Sequence, residues 1–151
     1  MTNEFNAPFP QANDFDKVLK IINVDLPEKL KDYGYMSVYL DDVSDRQVDY
    51  YISACIYLGL INKSKEFTRL GERLRNEVGI EQMAEIARII CSDEVFGFVF
   101  FRQKFIGTEL DKEEIIDIMK ERVAFQSEAM FERRASTIMS WLRWIKEREE
   151  N

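Results

Sequence analysis

From Phe131 to Ile145 the apolar residues Phe131, Ala135, Ile138, Leu142 and Ile145 recur at intervals of four, three, four and three. At roughly 100° per residue this spacing gathers them on one side of a helix, which must then find a core to pack against. Trp141 falls on the shoulder of that face with Arg134 close beside it, and Thr137 and Trp144 fall at its edge. The opposite side carries Arg133, Ser136, Ser140 and Arg143. Adjacent arginines therefore have different tasks. Arg133 points to solvent or a ligand, whereas Arg134 buries its stem and needs an acid for its guanidinium. The "SDE" run at 92–94 is the candidate source of that acid.

The helical period recurs upstream. Residues 1–13 hold Phe5, Pro8, Phe9 and Pro10 and read as an extended arm packing on the body or a partner. Asp14 caps a helix with Phe15, Val18, Leu19 and Ile22 inward. "LPEKLKDYG" suggests a second short helix, with Pro27 in its first turn and Gly34 after it. Ser44 and Gln47 form a capping box for a third helix, with Val48, Ile52, Cys55 and Ile56 inward and Gly59 ending it. Its outward face carries Arg46, Gln47, Tyr50, Ser53, Ala54 and Tyr57. "LINKSKEFT" predicts a small β-hairpin at about 59–68, and Thr68 caps the next helix.

The second half gives a helix with Ile80, Met83, Ala84, Ala87 and Ile90 inward, then helices over 95–105, 111–121 and 127–148. Aromatic groupings at Tyr33–Tyr39, Tyr50–Tyr57 and Phe96–Phe105 read as core and inter-unit packing. The expected fold class is mainly α: an N-terminal arm over 1–13, a winged helix-turn-helix unit over 14–78, and a second tri-helical unit of helix-turn-helix type over 79–151. A second wing would need about 10 residues beyond "KEREEN", so that unit is wingless or the chain is a piece of a longer protein.

Composition narrows the chemistry. The chain has 151 residues and no histidine, which removes histidine triads, metal sites and proton shuttles. Its two cysteines, Cys55 and Cys91, lie in apolar stretches and read as thiols in a reducing compartment. The start lacks the basic and apolar segments of a signal peptide, and no apolar run reaches a membrane-spanning length, so a cytoplasmic protein is expected. A nuclease would need an acid followed by an acid-x-lysine group. The nearest stretches, "DLPEKLK" and "GTELDKEE", lie at helix starts, where acids suit the dipole. No catalytic constellation, metal site or cofactor is expected.

Two surfaces have the chemistry of a DNA contact. One comprises Arg46, Gln47 and Tyr50 near the start of the third helix, with Lys63, Lys65 and Arg69 in and after the hairpin. Helix N-terminal residues reach base edges and hairpin lysines reach phosphates. Asp45 and Asp49 oppose such a role. The other is the row Arg133, Ser136, Ser140 and Arg143, where arginines and small hydroxyls allow close approach to a groove. Both are also readable as solvated faces, and the last row as a face for a protein partner. The net charge of −7 counts against a DNA binder as a whole.

"DRQVDYYISACIYLGLI" and "FTRLGERL" resemble the recognition helix and the post-wing helix of bacterial winged-helix domains, and "RRASTIMSWLRWI" resembles the last helix of a second such unit. With "PFPQANDFDKVLKII" the pattern resembles the tandem helical modules attached to bacterial restriction endonucleases and related defence proteins. That resemblance implies DNA binding or target recognition, with catalysis in a separate domain of a parent protein. The competing expectation is an acidic protein-interaction or homodimerisation module that does not touch DNA.

Overall fold

A computed structural model describes residues 9–123 and 127–150. Among these residues eight α-helices follow in order: α1 (Phe15–Ile22), α2 (Tyr33–Tyr39), α3 (Asp45–Tyr57), α4 (Arg69–Arg75), α5 (Gly79–Cys91), α6 (Glu94–Ile106), α7 (Lys112–Arg122) and α8 (Glu128–Glu149). The protein is thus mainly α. Asp14, Ser44 and Thr68 cap α1, α3 and α4 through their side chains, and Ser44 and Gln47 form the expected reciprocal box. Gly59 takes a φ of 78° just after α3, a left-handed conformation that suits glycine.

Three expectations about the elements need correction. Pro27–Lys31 is a single 3-10 segment, and Gly34 does not end a helix but lies inside α2. Asp32 restarts the helix by accepting from the Tyr35 N–H at 3.0 Å. The hairpin at 59–68 shrinks to an isolated antiparallel bridge between Ile61 and Phe67. Leu58 caps α3 and Thr68 caps α4, and the Asn62–Glu66 turn fills the middle of the span between them, so only Ile61 and Phe67 are paired. The polar turn itself is well built: Asn62 Oδ1 accepts from the N–H groups of Ser64 and Glu66, both at 3.0 Å. Finally, α5 is rotated from its expected face. Gln82, Ile86, Ile89 and Ile90 are buried, Ala84 is exposed and Ile80 is 80% exposed. Gln82 is drawn inward by hydrogen bonds with Asn23 and with the Leu74 carbonyl.

One buried apolar cluster extends from Phe9 to Ile145. α3 packs on α1 and α2, α8 packs on α7, α6 and α1, and α5 joins α4 to α6. The described end of the arm lies inside this cluster. Phe9 stacks on Phe96 at 5.4 Å and meets Tyr57 edge-on, while Phe5 lies outside the described residues. Among the described residues no helix is long and apolar enough to cross a membrane.

Candidate nucleic-acid interface

The N-terminal half of α3 stands on the turn after α2, where Asp41 and Asp42 both take positive φ angles of 69° and 63°. Aspartate tolerates this region better than most residues. Ser37 Oγ closes the turn by donating to the Val43 carbonyl. Lys17 and Lys20 hold Asp41 at 3.4 and 3.5 Å, and the hydrogen bond from Lys17, followed by the charge of Lys20, keeps its carboxyl below the usual range.

Of the residues singled out here, Arg46 is exposed and Tyr50 half-buried. They engage each other, with Arg46 Nε donating to Tyr50 Oη at 2.8 Å. Gln47 is exposed, but its side-chain oxygen accepts from the Ser44 N–H, so it serves the helix start. Ala54 and Tyr57, expected outward, are buried. Tyr57 donates to buried Asp93, and the Asp93 carboxylate also accepts from the N–H groups of Val95 and Phe96 at the start of α6. Burial and then the Asp93 charge push the Tyr57 hydroxyl pKa far up.

The Asn62–Glu66 turn reaches α3 through Tyr33 of α2. Lys65 Nζ sits 4.6 Å over the Tyr33 ring, and Tyr33 Oη donates to Asp49 Oδ1 at 2.5 Å. Lys63 and Arg69 are exposed, and Lys65 is half-buried. Arg73 pairs with Glu85 at 2.9 Å and Arg75 donates to the Ile22 carbonyl, so both serve the fold. The structure thus brings Arg46, Tyr50 and the turn lysine Lys65 into one neighbourhood, together with Asp49.

The outward row of α8 is less open. Arg133 is exposed, with its guanidinium 3.0 Å from Met130 Sδ. Ser136, half-buried like Ser140, donates back to the Glu132 carbonyl. Arg143 is tied to Glu109 at 3.0 Å, at the rim of a cavity of about 190 Å³ bounded by Phe100, Lys104 and Leu142. Arg134 is buried as expected, its guanidinium 5.8 Å from the Phe9 ring centroid. Burial lowers its pKa, and the nearby Tyr57 opposes that shift. Thr137 and Trp144, expected at the edge, are buried because the arm and α1 cover them: Thr137 donates to Asn13 at 2.6 Å and Trp144 Nε1 to Asp16 at 2.9 Å.

A surface that sequence reasoning missed lies on α6. Phe98, Phe101 and Phe105 are 36%, 54% and 90% exposed, although the grouping 96–105 reads as core. Among the described residues no group of three or more histidine, cysteine or acidic side chains is arranged to hold a metal ion. Residues 24–150 match the model of a family described as a domain of unknown function (DUF7226). No curated protein and no solved structure matches the chain.

Proposed function

We propose that this chain, which belongs to the DUF7226 family, is a non-catalytic DNA-contacting module of helix-turn-helix type, with α3 as its reading helix and the Asn62–Glu66 turn as a reduced wing. The observation that carries the reading is the placement of that turn. Lys65 covers Tyr33, whose hydroxyl is bonded to Asp49 in the first half of α3, the half that also carries Arg46. That is the arrangement in which a helix enters a groove while a flanking turn neutralises phosphates. On this reading Arg46 and Tyr50 face base edges, and Lys63, Lys65 and Arg69 face the backbone. Arg133 is a further phosphate contact with Ser136 and Ser140 beside it, and Arg143 joins only if it leaves Glu109. Target recognition within a restriction-modification or related defence protein, with a nuclease domain elsewhere in the parent protein, is the setting this reading fits.

The test is duplex binding at several salt concentrations. The logarithm of affinity is expected to fall steeply with the logarithm of salt. Lys63→Ala is expected to reduce that slope by about one unit without altering sequence preference, whereas Arg46→Ala relaxes preference. A second reading, an acidic protein-interaction module, is favoured by Asp42, Asp45 and Asp49 around the start of α3 and by the net charge of −7. Absence of duplex binding even at low salt puts that reading first.

A further inference from the structure

The cavity of about 190 Å³ whose rim holds Arg143 lies between α6 and α8. Each helix lends it residues at helical spacing. Phe100, Gln103 and Lys104 share one side of α6, and Met139, Leu142, Arg143 and Lys146 share one side of α8. The turn after α6 closes one end. Gly107 takes a φ of 82° there, and Gln103 Oε1 holds the turn by accepting from the Leu110 N–H at 3.0 Å. Two ion pairs bridge the walls: Lys104 meets Glu149 at 2.7 Å from helix to helix, and Arg143 meets Glu109 at 3.0 Å from α8 to the turn. The interior is apolar and the rim is charged. Leu142 is buried and Phe100 and Met139 are half-buried, whereas both ion pairs and Lys146 are exposed. The rim thus holds three cations and two acids, in a chain whose net charge is −7. Both rim acids are taken by Lys104 and Arg143, and Lys146 has no ion pair among the described residues. Of the acids near it in sequence, Glu147 is paired with Arg148, and Glu150 does not line the cavity.

We propose that this cavity binds a small organic acid, with its aromatic or branched body against Phe100, Met139 and Leu142 and its carboxylate on Lys146. Sites of this kind draw affinity from an apolar lining and orientation from a few polar groups. Size restricts the body. An apolar cavity of about 150 Å³ takes one benzene ring. The space here, about 190 Å³, therefore holds a single ring and a short arm, and the arm ends at the rim. Charge selects the acid. A cationic ligand reaches Glu109 or Glu149 only by breaking one of the two bridging ion pairs, whereas a carboxylate meets Lys146 with both intact. This inference stands on the cavity between α6 and α8 and does not depend on the DNA reading.

The experiment is a titration of the full chain with phenylacetate, followed through the methyl NMR signals of Met139 and Leu142. Saturable shifts of both are expected, with a dissociation constant on the order of 1 mM, the range for a ligand of about ten non-hydrogen atoms. Phenylacetamide, which has the same shape without the charge, is expected to bind about fivefold more weakly, the worth of an exposed ion pair. Acetate, which lacks the ring, should leave both signals in place. Lys146→Met should weaken phenylacetate by the same factor and leave phenylacetamide unchanged, so that the preference for the acid disappears. Lys146 is exposed, so this variant should keep the wild-type melting temperature. No saturable shift up to about 20 mM phenylacetate overturns the proposal. Binding that leaves Met139 and Leu142 unmoved overturns it too. Equal affinity for acid and amide, or a preference for the acid that survives Lys146→Met, overturns the place given to the carboxylate. Duplex binding has its own readout, so failure here and failure of the DNA reading are distinguishable.

Discussion

At the residue scale, both tryptophans of α8 are core residues, as the shoulder position of Trp141 suggests and the edge position of Trp144 does not. Trp141 is fully buried, donates from Nε1 to the Ala12 carbonyl at 2.6 Å, and contacts Phe15 and Phe96 at 4.9 and 5.0 Å. Trp144 is 5% exposed and lies 4.6 Å from the same Phe15 ring. Trp141→Ala is expected to cost about 3–5 kcal/mol. Trp144→Ala should approach that figure rather than be mild, as measured by urea denaturation. Of the adjacent arginines, Arg134→Ala is expected to lower stability by about 1–3 kcal/mol through lost packing against Phe9, whereas Arg133→Ala stays within about 0.5 kcal/mol. Tyr57 gives a pH prediction. Its pKa is raised in the folded state, first by burial and then by Asp93. The unfolded chain therefore loses this proton first, near pH 10. The contribution is fully present below that pH and is lost as pH rises through the folded-state pKa. Tyr39 and Tyr51 are shifted the same way by burial. Stability should thus fall with pH above about 10, and Tyr57→Phe should reduce the slope without abolishing it.

At the element scale, two helices are held by glycines against backbone. A Cβ at Gly71 of α4 would stand 2.1 Å from the Leu60 carbonyl oxygen, and one at Gly97 of α6 would stand 2.3 Å from that of Cys91. Neither neighbour is a side chain that can swing away. Gly71→Ala and Gly97→Ala are each expected to cost about 1–3 kcal/mol, the usual range for overpacking. By contrast, Ser44→Ala removes one cap from α3 and should cost about 1 kcal/mol. Thermal unfolding of the three variants orders them. Because the capping box fixes the start of α3, Ser44→Ala should also loosen the presentation of Arg46 and weaken any duplex binding more than its small stability loss implies.

At the scale of the whole molecule, the segment before and into α1 is joined to α8. Asn13, Ala12 and Asp16 bond to Thr137, Trp141 and Trp144, and Arg148 pairs with Asp16 at 3.1 Å. The N-terminal segment thereby links the last helix to the cluster that also holds α3. A chain organised this way is expected to unfold in one transition. Far-ultraviolet circular dichroism, reporting all helices, and tryptophan fluorescence, reporting α8, should have coincident midpoints. Two separated midpoints would show that the halves around residue 78 behave as independent units.

Local chemistry alone determined where most helices begin: Asp14, Ser44 and Thr68 each carry a side-chain acceptor within reach of the next turn's N–H groups, and that needs nothing distant. The same locality made the inward course of Arg134 and the Asn62–Glu66 turn legible, along with the exposure of Arg46, Lys63 and Arg69. Tertiary contact decided what covers each helix. Trp144, Thr137 and Tyr57 lie off the centre of their apolar faces, and only the arm, α1 and the start of α6 bury them. Gln82 is polar yet buried because Asn23 and the Leu74 carbonyl, remote in sequence or in the preceding element, satisfy its amide. Phe101 and Phe105 are apolar yet exposed because α5 and α7 pack elsewhere on α6, and periodicity says which residues share a side but not which side meets a neighbour. The candidate DNA surface divides in the same way: residue types proposed it, but the ion pair to Glu109 and the capping duty of Gln47 engage two of its members in contacts only the folded chain displays.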